Sequence, residues 1–249
     1  MSKTRLKLGQ ISLFVTTCVL IVTLIACQEP APTPAPTPTP TPQDIIQQAV
    51  DRLTTTLGFH FSVDLSGAPA ALDATGTIAF RTAVGDFAAP DKAQAAVRAA
   101  AFGLITDVNV VSIGPDQWQT NLLTKQWEQL PPDFGFNPGA LFDAANGLPA
   151  ILTADLTQAT FNGRETLEGG PNQELTIITG QVAGERLAAI SGGLIGPQAV
   201  DVTLWIAPDT HEIVRIVVNE PEPDSEAGAS VWQIDFSYYD QDVAIEPPV

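Results

Sequence analysis

The sequence has few of the residues that metal centres and catalytic sites use. It contains two cysteines, two histidines and one methionine in 249 residues. His60 and His211 lie far apart in the chain, and we expect both to be solvated. The chain has no HExxH motif, no paired-cysteine cluster, no glycine-rich phosphate loop and no GxSxG elbow. We therefore expect no catalytic residues, no metal site and no cofactor.

Positive charge is also scarce. The chain carries 11 Lys and Arg residues against 28 Asp and Glu, for a net charge of −17. Three of those basic residues, Lys3, Arg5 and Lys7, precede the first apolar run, so the rest of the chain is more acidic still. Affinity for nucleic acid comes largely from neutralising phosphates with basic side chains. This balance excludes nucleic acid as a partner.

The first apolar run is too short for a permanent membrane span. It reads ISLFVTTCVLIVTLIA at 11–26 and has 16 residues, whereas a helix needs about 20 to cross the hydrocarbon core. A basic start, a short apolar run and a break at small residues are typical of an export signal. An ordinary signal peptide and an uncleaved anchor are both compatible with this pattern.

The cysteine that ends this run favours a more specific interpretation. Leu24-Ile25-Ala26-Cys27 resembles the lipobox of bacterial lipoproteins, in which the chain is cut before the cysteine and its sulfur receives a diacylglyceryl group. Residues 1–26 are then a lipoprotein signal peptide and Cys27 is the lipidation site. Two or more acyl chains hold a protein stably on a membrane. We predict a lipid-anchored protein on the extracytoplasmic side of the cell membrane.

A proline–threonine stretch follows the cysteine and separates it from the rest of the chain. We predict that residues 27–43 are the lipidated cysteine and a tether, and that residues 44–249 form one domain. Alternating proline favours an extended chain of about 3.1 Å per residue, so Pro30–Pro42 would span roughly 40 Å. No thiol remains in the mature domain for a disulfide, so its core must be large enough to be stable alone.

Hydrophobic periodicity predicts one helix and then a series of strands. In 44–57, apolar residues recur at Ile46, Val50, Leu53 and Leu57, which is the spacing of one helix face. After this segment the period changes to two. We predict strands at 59–67, 76–84, 92–101, 104–113, 172–182, 200–208, 211–219 and 230–239, and a tryptophan-flanked hairpin turn at 121–124.

Two further segments are predicted to be helical. Asn137 is a good N-cap and is followed by proline at the first helical position, which predicts a short helix at 137–142. Residues 184–196 begin as a helix and end in glycines. The alanine-rich 92–101 also has helix propensity, but its position directly before another strand favours a strand. The prediction is an α+β fold in which a strongly curved antiparallel sheet has helices over one apolar face.

The order of these elements resembles a known family. The segments that carry the resemblance are FHFSVDLSG, VVSIGPDQWQTNLLTKQWEQLP, NPGALF, LEGGPNQELTIITGQV, VTLWIAPDTHEIVRIVV and WQIDFSYYDQDVAIEPP. In this order, after a lipobox and a Pro/Thr linker, they resemble the LppX/LprAFG lipoproteins from Cys27 to the end. The resemblance implies a LolA-like half-barrel sheet closed by helices around an apolar cavity. It also implies binding of an acylated lipid or glycolipid, carriage within the envelope, and an envelope transporter as partner.

An acyl chain needs a large dry surface. Removing it from water is worth about 0.8 kcal/mol per CH₂, or roughly 12 kcal/mol for sixteen carbons. The inward-facing residues of the predicted strands and helices are therefore the candidate lining. They are Phe59, Phe61, Val63, Ile78, Phe80, Val97, Val108, Val110, Leu141, Phe142, Leu187, Ile190, Val202, Leu204, Ile234 and Phe236.

The same residues would line the core of any sandwich or barrel, so two other functions stay open. One is a surface-exposed interaction module with a filled core and no ligand. The other is a hydrolase, for which the sequence supplies no evident nucleophile. Lipid that copurifies with the domain distinguishes the carrier from the module, and turnover of acyl esters would indicate the hydrolase.

Overall fold

The computed structural model describes residues 39–131, 137–221 and 228–248. The predicted signal peptide, Cys27 and most of the tether lie outside these residues. Pro40–Val249 forms one compact unit that contains the described hydrophobic core. A unit with its own core is expected to fold without the residues that precede it.

The described residues form a strand-rich domain with short helical segments. Its helices are α1 (Pro42–Thr55), α2 (Leu148–Ala150) and α3 (Gly184–Ile190), with a 3₁₀ helix at Pro138–Phe142 and a π-helical turn at Ile151–Asp155 directly after α2. The strands are β1 (Gly58–Gly67), β2 (Ala70–Ala71), β3 (Ile78–Ala88), β4 (Lys92–Ala101), β5 (Leu104–Ile113), β6 (Asp116–Thr120), β7 (Trp127–Leu130), β8 (Thr157–Glu165), β9 (Leu175–Val182), β10 (Val200–Ile206), β11 (Ile213–Glu220) and β12 (Ser230–Ser237).

All twelve strands of the described residues belong to one curved antiparallel sheet. Its order is β7-β6-β5-β4-β3-β1-β12-β11-β10-β9-β8, and β2 pairs with β3 beside this path. Strands that follow one another in the chain are mostly neighbours, as expected for antiparallel hairpins. There are two exceptions: β7 and β8 lie at opposite edges of the sheet, and β1 lies between β3 and the last strand, β12. This pairing joins the two halves of the sheet and confirms the predicted α+β fold.

The pairing register places the apolar residues of successive strands on one face. Phe61 of β1 lies opposite Phe236 of β12, and Val63 lies opposite both Ile234 and Ala83. Residues directly opposite in an antiparallel pair point to the same side of the sheet. The alternation in the sequence therefore builds one continuous apolar face, which is the concave face that the helical segments cover.

The helix α1 begins earlier and ends earlier than its apolar spacing predicts. A capping box in which the Thr41 hydroxyl and the Asp44 carboxylate bond each other's backbone N–H starts it at Pro42. Ile46, Val50 and Leu53 are buried against the sheet. Leu57, which was expected on the same stripe, lies beyond the helix and is 67% exposed. That part of the helix prediction is wrong.

A second, smaller cluster lies on the opposite, convex face. Ala88, Val111 and Ile245 are buried there, and Trp118 and Trp127 pack against them. The register puts Trp118 opposite Gln129 and Trp127 opposite Thr120, so the two tryptophans are diagonal neighbours on one face of the β6–β7 hairpin. The segment after β12 supplies Ile245, so the C-terminal end of the chain covers part of the outer face.

Candidate functional site

One row of the concave face crosses nine strands and is apolar throughout. From the edge strand β8 to β5 it runs Phe161, Ile178, Leu204, Ile216, Ile234, Val63, Ala83, Val97 and Val108. From β9 to β12 the residues of this row, Ile178, Leu204, Ile216 and Ile234, are buried. Val63, Val97 and Val108 are only half-buried. The row is therefore less covered at β4 and β5 than at β9 to β12.

The sixteen predicted lining residues divide into two groups by burial. Nine of them are buried in the main core. These are Phe59, Phe61, Phe80, Phe142, Leu187, Val202, Leu204, Ile234 and Phe236. The other seven are half-buried. These are Val63, Ile78, Val97, Val108, Val110, Leu141 and Ile190.

Four of the five phenylalanines among these nine residues, Phe59, Phe61, Phe142 and Phe236, form one aromatic cluster together with Phe87. The Phe59 ring lies 5.0 Å from Phe87, 4.9 Å from Phe142 and 5.5 Å from Phe236 between centroids. Phe61 also contacts Phe142, at 5.5 Å. Edge-to-face and offset contacts at these separations are favourable. This end of the concave face is packed aromatic core, and it fixes the 3₁₀ helix to the sheet.

The half-buried group surrounds a region of short side chains. Along β4 the concave face carries Ala93, Ala95, Val97, Ala99 and Ala101, as their register with β3 shows. Alanine fills less volume than the residues usual at core positions, so helical segments above β4 have less to pack against. The sequence predicts a strand here, and the register shows that four of its six alanines share the concave face with a single valine, while Ala96 and Ala100 lie on the other face.

We define the inner row as Val63, Ala83, Val97 and Val108. The register makes each of the four a direct neighbour of the next across β1, β3, β4 and β5. Val110 stands one pair further along β5, opposite Ala95. Leu141 of the 3₁₀ helix and Ile190 of α3 pack, half-buried, against the same core. The inner row and these two helical residues are the apolar surfaces that a ligand could reach with the least rearrangement.

A pocket of about 250 Å³ lies on the outer face of the same strands. Val84, Asp86, Gln94, Asn109 and Trp127 contribute to its lining, and of the predicted residues only Val110 does. Ligand pockets usually enclose about 300–1,000 Å³ and are mainly apolar. This shallow, partly polar groove is not the predicted cavity.

The outer face also holds His60, which is not a free solvated histidine. Its Nδ1 lies 2.8 Å from Asp86 Oδ1, and Gln94 and Gln241 donate to the same carboxylate at 3.1 and 3.2 Å. Burial alone would raise the pKa of Asp86, but these hydrogen bonds outweigh it and hold that pKa below its usual value.

Across the described ranges, no group of three or more His, Cys, Asp or Glu side chains could hold a metal ion.

Arg52 ties the end of α1 to two distant parts of the chain. Its Nη2 donates to Glu212 Oε1 at 2.7 Å and to Asp240 Oδ2 at 2.8 Å, and its guanidinium lies 5.0 Å from the Tyr239 ring centroid. Hydrogen bonds from Arg52 and Thr56 lower the pKa of Asp240. This network anchors the helix that covers the concave face.

We expect Arg52→Met to lower the free energy of unfolding by about 1–2 kcal/mol. The methionine keeps the apolar stem, but Glu212, at 27% exposure, loses its partner while partly shielded from water, and the more exposed Asp240 loses two hydrogen bonds. Urea denaturation of parent and variant measures the change. Arg98→Met is the matched control, because its pair with Asp107 is well exposed and is worth at most about 0.5 kcal/mol. Equal losses in the two variants would contradict the proposed anchoring role.

No described helix, in 39–131, 137–221 or 228–248, is both long and apolar enough to cross a bilayer.

A single open antiparallel sheet, curved around one apolar face that short helices cover, defines the class of this protein as an α+β half-barrel fold. The particular family follows from the sequence: a model of the LppX/LprAFG lipoproteins matches residues 41–245, and the chain belongs to this family. No curated protein sequence matches the chain.

Two solved structures have the same fold. LprF from Mycobacterium bovis has a TM-score of 0.60 at 18% identity, covering 85% of this chain and 99% of LprF. The lipoprotein LppX from Mycobacterium tuberculosis has a TM-score of 0.56 at 19% identity, covering 82% of this chain and 98% of LppX. At these identities the similarity shows the fold alone. A LolA superfamily protein from Nitrosomonas europaea aligns with a TM-score of 0.27 at 11% identity, over 83% of this chain and 96% of its own.

Proposed function

We propose that this protein is a membrane-anchored lipoprotein that binds an acylated lipid or glycolipid and carries it within the cell envelope. Cys27 is the anchor, and the concave face of β3–β5 is the binding surface. No residue of the site acts in catalysis. A transporter of the envelope would supply or receive the lipid.

The observation that carries the proposal is the difference in burial between the β9–β10 part and the β4–β5 part of the apolar row. Ile178 and Leu204 are sealed in the core, at 0% and 1% exposure, whereas Val97 and Val108 are half-buried. An alkyl chain laid along the inner row would complete the burial of these side chains and remove its own surface from water. The neighbouring alanines leave room for it once the helical segments separate from β4 and β5.

The helical cover on this side is held mainly by apolar contacts. Where the 3₁₀ helix meets β5, Gly139 N donates to Ser112 Oγ at 3.0 Å, and Leu141 and Phe142 pack on the core. Apolar contacts are not directional, so an acyl chain can replace them at small cost. The proposed site therefore opens by a shift of Leu141 and Ile190 away from the core, while Phe142 keeps the 3₁₀ helix attached to the aromatic cluster.

Native mass spectrometry tests the proposal. Residues 28–249, produced without Cys27 in a lipid-rich host, are expected to retain copurifying lipid at a defined stoichiometry. Delipidation and incubation with a long-chain phospholipid should restore the same mass increment. Repeated observation of the bare mass in both arms would contradict lipid binding and favour an interaction module with a filled core.

A further inference from the structure

The tip of the β4–β5 hairpin has an unusual residue at its turn. Ala101 pairs with Leu104, so Phe102 and Gly103 alone form the loop. Both have positive φ, 53° and 79°, which is the pattern of a type I′ turn. That turn favours Asn-Gly or Asp-Gly, because a side chain such as phenylalanine is disfavoured in the left-handed region. Phe102 therefore occupies a position that folding alone does not favour.

The same tip is apolar on both faces of the sheet. Phe102 is 80% exposed, Leu104 72% and Ile105 62%. Leu104 lies on the concave side and Ile105 on the convex side, because successive strand residues alternate. Neither the helical segments nor the described C-terminal residues cover them. Three adjacent exposed apolar side chains at a protruding tip indicate an interaction site.

Two neighbouring loops extend this apolar tip. In the β6–β7 turn, Leu123 is 90% exposed. Lys125 of that turn bonds Thr106 Oγ1 and Asp107 O at 2.8 and 2.9 Å, which fixes the turn beside the start of β5. Leu72 is 40% exposed. Its backbone N–H donates to the carbonyl oxygen of Ile78, and Ile78 pairs with Ala101 directly before the β4–β5 turn, so Leu72 lies beside the tip.

The charge near the tip differs from that of the whole chain. Arg81, in a bulge of β3, and Lys125 are exposed. Among the described residues neither forms an ion pair, whereas Arg98 is paired with Asp107. Charges more than about 8 Å away are largely screened at physiological ionic strength. Arg81 and Lys125, with Asp107 beside them, therefore leave the charge at the tip closer to balance than the net charge of −17 suggests.

We propose that the tip formed by Phe102, Leu104 and Ile105, with Leu123 and Leu72 beside it, inserts into the interface of a lipid bilayer. The apolar side chains enter the boundary between headgroups and acyl chains, and Arg81 and Lys125 meet the lipid phosphates. A bilayer fits better than a folded protein partner, because the surface consists of protruding tips with apolar residues on both sides. Insertion surrounds such a tip completely, whereas a protein surface would cover one side.

The tip also leads toward the inner row. On the concave side of β5, Leu104, Thr106, Val108 and Val110 follow one another at every second position, and exposure falls from the tip inward. The additional inference that lipid moves along this row of residues rests on the proposed function. Insertion of the tip into a bilayer does not rest on it, because insertion needs no ligand in the concave face.

Vesicle flotation of residues 28–249, which lack the acylated cysteine, tests the docking. The probe is vesicles of phosphatidylcholine, and of phosphatidylcholine mixed with phosphatidylglycerol. The parent is expected to float with the vesicles, and Phe102→Asn to partition roughly 10- to 100-fold less, as expected for one buried phenylalanine. Asparagine suits the turn, so Phe102→Asn should unfold at the same or a higher temperature. Loss of binding then cannot be a loss of fold.

Phe161→Asn is the matched control, because Phe161 is 48% exposed on the edge strand β8, at the far end of the sheet order. It should float like the parent. Parent protein that stays unbound, or equal partition of Phe102→Asn and parent, overturns the docking. An equal loss in Phe161→Asn also overturns it. Concentration-dependent dimers that Phe102→Asn abolishes, without vesicle binding, would identify a protein interface instead. Native mass spectra of the same samples report lipid binding separately.

Discussion

Phe59→Ala is expected to lower the free energy of unfolding by about 4 kcal/mol, the largest effect of any substitution considered. The Phe59 side chain is fully buried and contacts the rings of Phe87, Phe142 and Phe236. Truncating such a phenylalanine removes its transfer free energy and leaves a cavity, which typically costs about 3–5 kcal/mol. Domains are stable by only about 5–15 kcal/mol, so much of the total would be lost.

Urea denaturation measures this loss as a lower midpoint with an unchanged slope. Phe161→Ala is the control, because that ring is about half exposed and should cost less than about 1 kcal/mol. A loss at Phe59 no greater than at Phe161 would show that the aromatic cluster is not the stabilising centre. Since Phe142 belongs to the 3₁₀ helix, Phe59→Ala should also weaken the cover over the concave face.

Val97→Trp is expected to leave the domain folded and to reduce lipid affinity a few-hundred-fold. Val97 lies in the inner row between Ala83 and Val108, and its side chain is half-buried. An indole there would occupy the volume of several chain carbons. Losing the burial of four or five CH₂ groups costs about 3–4 kcal/mol, which corresponds to that change in affinity. Titration with a fluorescent fatty acid measures it.

The matched control places the same tryptophan on the other side of the sheet. Val84 is 46% exposed on the outer face, where it borders the shallow groove. Val84→Trp should bind the fatty acid like the parent. If Val84→Trp loses binding and Val97→Trp does not, the ligand lies in the outer groove. If Val97→Trp unfolds the domain, the inner row is packed core.

Strand positions in the middle of the sheet could be predicted well from sequence. The predicted 92–101 and 104–113 match Lys92–Ala101 and Leu104–Ile113. The edge strand Thr157–Glu165 was missed, because its residues are mostly exposed and carry no apolar alternation. The helical segment from Leu148 was missed as well, since three α-helical residues and a π-turn are too short for a helical period.

The alternation of apolar residues determined, by itself, that this chain forms an antiparallel sheet with one apolar face. Period two assigns each side chain to a face whatever its neighbours are. Which of those side chains are sealed and which are half-buried was decided only by the tertiary structure. Burial depends on what covers each strand, and the cover comes from segments more than forty residues away, as in the contact of Phe59 with Phe142. Phe59 and Val97 both occupy the apolar face that the sequence predicts. In the structure Phe59 is packed in the core, whereas Val97 lies in the inner row of the proposed site.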